Sequence, residues 1–114
     1  MRIVREPLKA DEIQALAKET FGDMIKVVVD LDREILAAGG ALHSDSEELL
    51  LDDGSEQDDL WGANYFPGKA SGKRVEYTSL INQHHPSNKT SQTIADPAVR
   101  ERVSAIITRY FEHV

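Results

Sequence analysis

The sequence contains no cysteine. Disulfides, thiolate nucleophiles and thiolate metal ligands are therefore excluded together. It has no run of about 18 apolar residues, so no membrane-spanning helix is expected. The segment Met1-Arg2-Ile3-Val4-Arg5-Glu6-Pro7 turns charged and meets proline before a leader-type apolar stretch forms. A cytoplasmic location with no membrane partner is the expectation. The Gly-x-Ser-x-Gly elbow, the phosphate-binding loop and the dinucleotide glycine pattern are all missing. Aromatic residues make up only 6% of the chain, with a single tryptophan, Trp61.

What is present fits one domain, residues 1–114, with 40% hydrophobic and 29% charged residues. The net charge of −7 is unevenly placed. Between residues 30 and 59 there are eleven acids and one base, Arg33, while residues 60–114 carry seven Lys or Arg against four acids. The acidic middle repels phosphate backbones, so no nucleic-acid partner is expected. It reads first as a solvated face, and secondly as a surface for a basic protein partner.

The pattern of apolar residues predicts an α+β domain with the order β-α-β-β-α-β-β-α: an antiparallel or mixed sheet of about five strands and three helices mainly on one face. Arg2–Arg5 reads as a strand. Asp11 and Gln14 have capping-box spacing ahead of the apolar face of Ile13, Leu16, Ala17 and Phe21. Met24–Leu31 and Glu34–Ala38 form a hairpin, with Ile25, Val27, Val29 and Leu31 on one side. Ser44 and Glu47 repeat the capping spacing before a short helix ending at Gly54. Leu60–Phe66 and Arg74–Asn82 are two further strands, and the polar stretch 83–95 is a long loop. Asp96 and Pro97 open a last helix with Val99, Val103, Ile106, Ile107, Tyr110 and Val114 as its stripe. The first six elements match a ferredoxin-like split βαβ order. The first and last helices are expected on the sheet face that carries Trp61 and Tyr77.

Two groups of residues bear on function. His43, Asp45 and Glu47 are alternate positions, which converge on a metal only if the segment is extended. That set supports a metal-assisted hydrolase or lyase, whereas a helix start makes Asp45 and Glu47 first-turn acids. The second group lies on the paired strands. Gly62, Asn64, Thr78 and Asn82 share the polar face and outline a shallow binding site edged by the 83–95 loop. The competing reading is the wet side of an antiparallel sheet, with Gly62 at a bulge and Asn82 bonding the loop. The His84-His85 pair reads as a surface pair, since no acid lies within three residues. With no nucleophile–base spacing and no cofactor motif, the leading expectation is a non-enzymatic binding or protein-interaction module without a cofactor.

Leu42-His43-x-Asp45-x-Glu47, then Leu49-Leu50-Leu51, then Gly54-Ser55-x-Gln57-x-x-Leu60-Trp61-Gly62-x-Asn64 resembles a small prokaryotic family classed only as a domain of unknown function. Leu80-Ile81-Asn82, Pro86, Asp96-Pro97 with Arg100, and the Lys26–Asp30 strand also fit. The resemblance implies importance for His43, Gln57, Trp61, Gly62, Asn64 and Asn82, and no particular activity. The family carries an arginine-rich stretch after the Leu-Ile-Asn strand. This chain has Gln83, His84, His85 and Lys89 there, which weighs against an anion-binding role for that loop.

Overall fold

Alternation of β-branched residues builds the centre of the molecule. In the computed structural model, which describes residues 1–112, the strands are β1 (Arg2–Val4), β2 (Ile25–Asp30), β3 (Ile35–Ala38), β4 (Leu60–Tyr65) and β5 (Val75–Glu76). The helices are α1 (Ala10–Lys18), α2 (His43–Asp52) and α3 (Pro97–Phe111). Short 3-10 turns occupy Gln57–Asp59, Leu80–His84 and Pro86–Asn88. The sheet order is β1-β3-β2-β4-β5, with every pairing antiparallel.

The expected split βαβ unit is present. β1 and β2 run parallel, α1 joins them, and β3 fills the slot between. The chain then departs from the ferredoxin-like plan, because β4 joins the free edge of β2 instead of β1. This creates a second split unit: β3 and β4 run parallel, α2 joins them, and β2 lies between. Both crossovers move two places in the same direction, but from strands of opposite polarity. Crossovers of a single hand must then put their helices on opposite faces.

The core shows that arrangement. On one face, Ile13, Leu16 and Ala17 of α1 and Val103, Ile106, Ile107 and Tyr110 of α3 pack on Val27, Val29, Trp61 and Tyr65, with Tyr77 at the margin. This is the packing the two apolar stripes predict, except that α1 stops at Lys18 and leaves Phe21 exposed beyond it; Val114 lies outside the described residues. On the other face, Leu50 of α2 packs with Val28, Ile35, Ala37, Leu60 and Ile81. Two helices therefore share one face and α2 covers the other, so the polar side of β4 is not a wet surface. All six β4 residues are buried.

Local chemistry fixes the turns. Asp30 is fully buried; its Oδ1 accepts the Asp32 and Arg33 N–H groups at 2.9 Å each, and its Oδ2 accepts the Ser55 hydroxyl at 2.6 Å. That carboxylate shapes the β2–β3 turn, which α3 braces through Tyr110 Oη to Glu34 O at 2.7 Å. Asp96 caps α3 by accepting from Ala98 N at 2.9 Å, with Pro97 in the first turn. The α1 cap differs from expectation: Lys9 is the N-cap residue, and Glu12 accepts its N–H at 2.9 Å.

Candidate functional site

The segment after β5 departs from the expected strand. After Glu76 it makes one bridge, Thr78 to Thr93, and then coils into the 3-10 turn Leu80–His84. β4, paired with β2 along its whole length, thus lacks a strand partner on its other side over its first half. The side chain of Asn82 takes that place. Its Oδ1 accepts Gly62 N–H at 2.8 Å, and its Nδ2 donates to Gly62 O at 3.1 Å and Gln92 O at 2.9 Å. An amide carries one donor and one acceptor group side by side, as a strand residue does. Nothing larger than glycine fits opposite: a Cβ on Gly62 would stand 2.5 Å from Ser79 Cβ.

Coiling the chain at Leu80 leaves a groove of about 410 Å³ between that turn and the start of α2. Its lining includes Lys26, His43, Asn64, Thr78, Leu80 and His84. Of the four residues expected to bound a site, Asn64 and Thr78 line the groove. Gly62 and Asn82 lie beneath it, with their polar groups bonded to one another. The loop 83–95 is firmly built. Buried Asn88 donates to Ser91 O and Thr93 O and accepts from Ala95 N.

Asn64 is 8% exposed. Its Nδ2 donates to Glu76 Oε1 at 2.9 Å and Thr78 O at 3.3 Å. Its Oδ1 is sealed off from the groove and accepts no hydrogen bond among the described residues while His43 is neutral; the Asn64 side chain is a partner that favours the charged His43 ring. A buried acceptor left so costs about 1–3 kcal/mol, which sets it apart from the satisfied polar groups around it.

His43 is the first residue of α2 and faces the sheet with Ser46, Glu47 and Leu50, the i, i+3, i+4, i+7 stripe. Its Nε2 lies 2.8 Å from Ala63 O. A carbonyl only accepts, so Nε2 carries the proton. Burial is the main cause holding this imidazole below the usual histidine range, and the Lys26 charge adds to it; the Ala63 carbonyl and the Asn64 amide pull the other way.

The other metal-set residues do not gather around it. Residues 43–47 are helical, so the extended geometry that would converge His43, Asp45 and Glu47 is not the one adopted. Asp45 is exposed, and Glu47 sits 3.4 Å from His84 Nδ1. Among the described residues no group of three His, Cys, Asp or Glu side chains is arranged to hold a metal ion.

The two neighbouring histidines have separate roles. His84 is exposed beside Gln57, at 3.1 Å. His85 is buried, stacked on Trp61 with ring centres 3.6 Å apart, and its Nε2 lies 2.7 Å from Leu60 O. It belongs to the core, against the surface reading of the pair.

Sequence reasoning missed Lys26, Ser79 and Leu80 as groove residues. Lys26 carried a usable signal, since it interrupts the apolar strand on the side shared by Val28 and Asp30. Leu80 carried none, because its exposure depends on a 3-10 turn in a segment that reads as a strand.

The sheet with helices on both faces and a groove at the start of α2 defines a small α+β domain. The family model described as "Protein of unknown function (DUF5674)" matches residues 2–110, and the chain belongs to that family. No curated protein matches the chain, and no solved structure matches it. Among the described residues no helix is long and apolar enough to cross a membrane.

Proposed function

We propose that the protein is a non-enzymatic binding module that takes a small ligand in the groove between the start of α2 and the turn Leu80–His84. One observation carries this reading: the turn Leu80–His84 and the start of α2 enclose a groove of about 410 Å³ whose lining sets His43, Asn64, Thr78 and Ser79 beside apolar residues. A few polar groups set among apolar ones would orient a small ligand there. The volume falls within the range of about 300–1,000 Å³ usual for small-molecule sites. Leu42 and Leu80, both exposed, give the groove apolar margins.

The test is a fragment screen read by amide chemical shifts. Fragments bearing a donor beside an apolar group are expected to move the backbone signals of His43, Ser44, Asn64 and Leu80 together. The same fragments should leave them unmoved in Asn64→Ala, once its spectrum shows a native fold. Fragments that bind elsewhere, or shift the parent and Asn64→Ala alike, would overturn the assignment.

A further inference from the structure

Among the described residues, every arginine but one has a side-chain partner. Arg2 bonds Glu12, Arg5 and Arg33 share Asp53, Arg74 bonds Glu112, Arg102 bonds Leu31 O, and Arg109 bonds Glu34. The guanidinium of Arg100 makes no hydrogen bond and no ion pair among them. Nor is Arg100 a free surface side chain: it is half-buried, and its Nε is enclosed without an acceptor. A guanidinium withdrawn from water calls for a counter-charge or for acceptors, and the fold supplies neither.

The surroundings are those of a site. Arg100 lines a groove of about 520 Å³ on the α3 face of the sheet, apart from the groove at α2. Pro97, Ala105 and the partly buried Tyr77 give it apolar walls. Nε is the only enclosed nitrogen of Arg100, so both terminal nitrogens stay reachable. They form a planar fork that matches the two oxygens of a carboxylate. Tyr77 and Ser104 line the groove as well, and their hydroxyls make no hydrogen bond among the described residues. Glu101, which is exposed, is the acid of the lining. Its charge offsets that of Arg100 over the groove, which disfavours a doubly charged phosphate more than a singly charged carboxylate held on the fork.

We propose that this groove is a second site, which takes an organic carboxylate with a compact apolar body. The carboxylate oxygens accept from Nη1 and Nη2 of Arg100, while Nε stays enclosed. The body rests against Tyr77, Pro97 and Ala105. The charge-assisted pair gives the half-buried guanidinium the counter-ion that the chain withholds.

Three probes with one ring test this: benzoate, benzamide, which has no charge, and phenyl phosphate. They are titrated into the full chain at fixed ionic strength in chloride, with amide and arginine side-chain signals as the readout. Benzoate is expected to move the signals of Tyr77, Arg100 and Ser104 together with the Arg100 Nε–H, and to bind at least tenfold more tightly than either other probe. In Arg100→Met, which keeps the aliphatic bulk, benzoate should fall to the affinity of benzamide. In Glu101→Gln, benzoate should bind more tightly and phenyl phosphate should gain more. Native amide spectra of both variants exclude misfolding as the cause. Equal binding of benzoate and benzamide, or benzoate binding that is unchanged in Arg100→Met, would overturn the proposal. Tighter binding of phenyl phosphate would overturn the carboxylate assignment. Benzoate that leaves these signals in place would overturn the site itself and make Arg100 a side chain held by the packing of its stem. None of these results bears on the groove at α2, which uses other residues.

Discussion

A methyl group added at Gly62 would meet Ser79 Cβ at 2.5 Å and Ser79 Oγ at 2.6 Å, with Ile81 at 3.1 Å. The Ser79 Oγ can turn away, but the Ser79 Cβ is fixed by the backbone and its contact cannot be relieved by rotation. Gly62→Ala is therefore expected to destabilise the fold by about 1–3 kcal/mol, the usual cost of overpacking. Ser79→Gly in the same chain should recover part of that loss, although it removes the Ser79 Oγ cap on Ile81 N. Urea midpoints of the two single variants and the double variant test this; strict additivity would show that the contact is not the cause.

His43 gives a second prediction at this scale. Its folded-state pKa is depressed, chiefly by burial, so the unfolded chain takes up the proton first as pH falls. The stability this contributes is complete above the unfolded value of about 6.5 and declines below it toward the folded value. Urea unfolding between pH 7.5 and 5.5 should show that decline, and His43→Gln should flatten it. Lys26, which lowers this pKa, and the Asn64 amide, which raises it, are the groups whose removal should move the window.

Among the elements, the turn Leu80–His84 is the one whose form decides the site. Asn82 is fully buried and stands in for a strand along the open half of β4. Asn82→Ala leaves the Gly62 N–H and C=O without these partners, at about 1–3 kcal/mol for each buried group. Asn82→Asp should be worse, because a carboxylate would face the carbonyls of Gly62 and Gln92. A thermal midpoint unchanged in both would mean that the amide is not holding the edge. Trp61→Ala, on the opposite face and 6% exposed, is expected to cost about 3–5 kcal/mol.

These elements also mark how far the sequence could be read. Period-two alternation located β2, β3 and β4, and the stripes of α1 and α3 placed both helices against Trp61, because burial on one face leaves a periodic trace. α2 left little. Its inward positions are His43, Ser46, Glu47 and Leu50, three of them polar, so its burial against the sheet was not legible. The end of the last strand failed for another reason. Leu80-Ile81 has strand-like composition, but Asn82 bonds across to Gly62, and that tertiary contact outweighs local preference. Asn64 and Thr78 were legible as site residues because polar groups in a strand call for an explanation. The groove above them needed the turn.

Over the molecule as a whole, five acids of the middle segment, Asp30, Asp32, Glu56, Asp58 and Asp59, gather at one corner. Asp59 has its pKa raised, first by burial and then by the charges of Asp30, Asp32, Glu56 and Asp58. A carboxyl whose folded pKa is raised destabilises the fold above that pKa, and relief comes as pH falls through it. Asp59→Asn should therefore raise the urea midpoint at pH 7, and the gain should fade toward pH 4. The gain should also weaken with added salt, which screens charges on the surface. A salt-independent gain would point to packing instead of repulsion.

The two interlocked crossovers have a consequence for the chain as it is made. Residues 1–38 contain β1, α1, β2 and β3, enough to assemble a three-stranded sheet with one helix. In that half-made sheet, the outer side of β2 is bare, and it stays so until α2 and β4 have followed. β2 is Ile-Lys-Val-Val-Val-Asp, the kind of apolar, β-branched edge that pairs with a neighbour's. In the finished molecule, the edges are the three residues of β1 and the two of β5, too short to recruit another chain. The native fold is thus guarded against edge-to-edge strand pairing, and that hazard is confined to the interval of synthesis between residues 38 and 65.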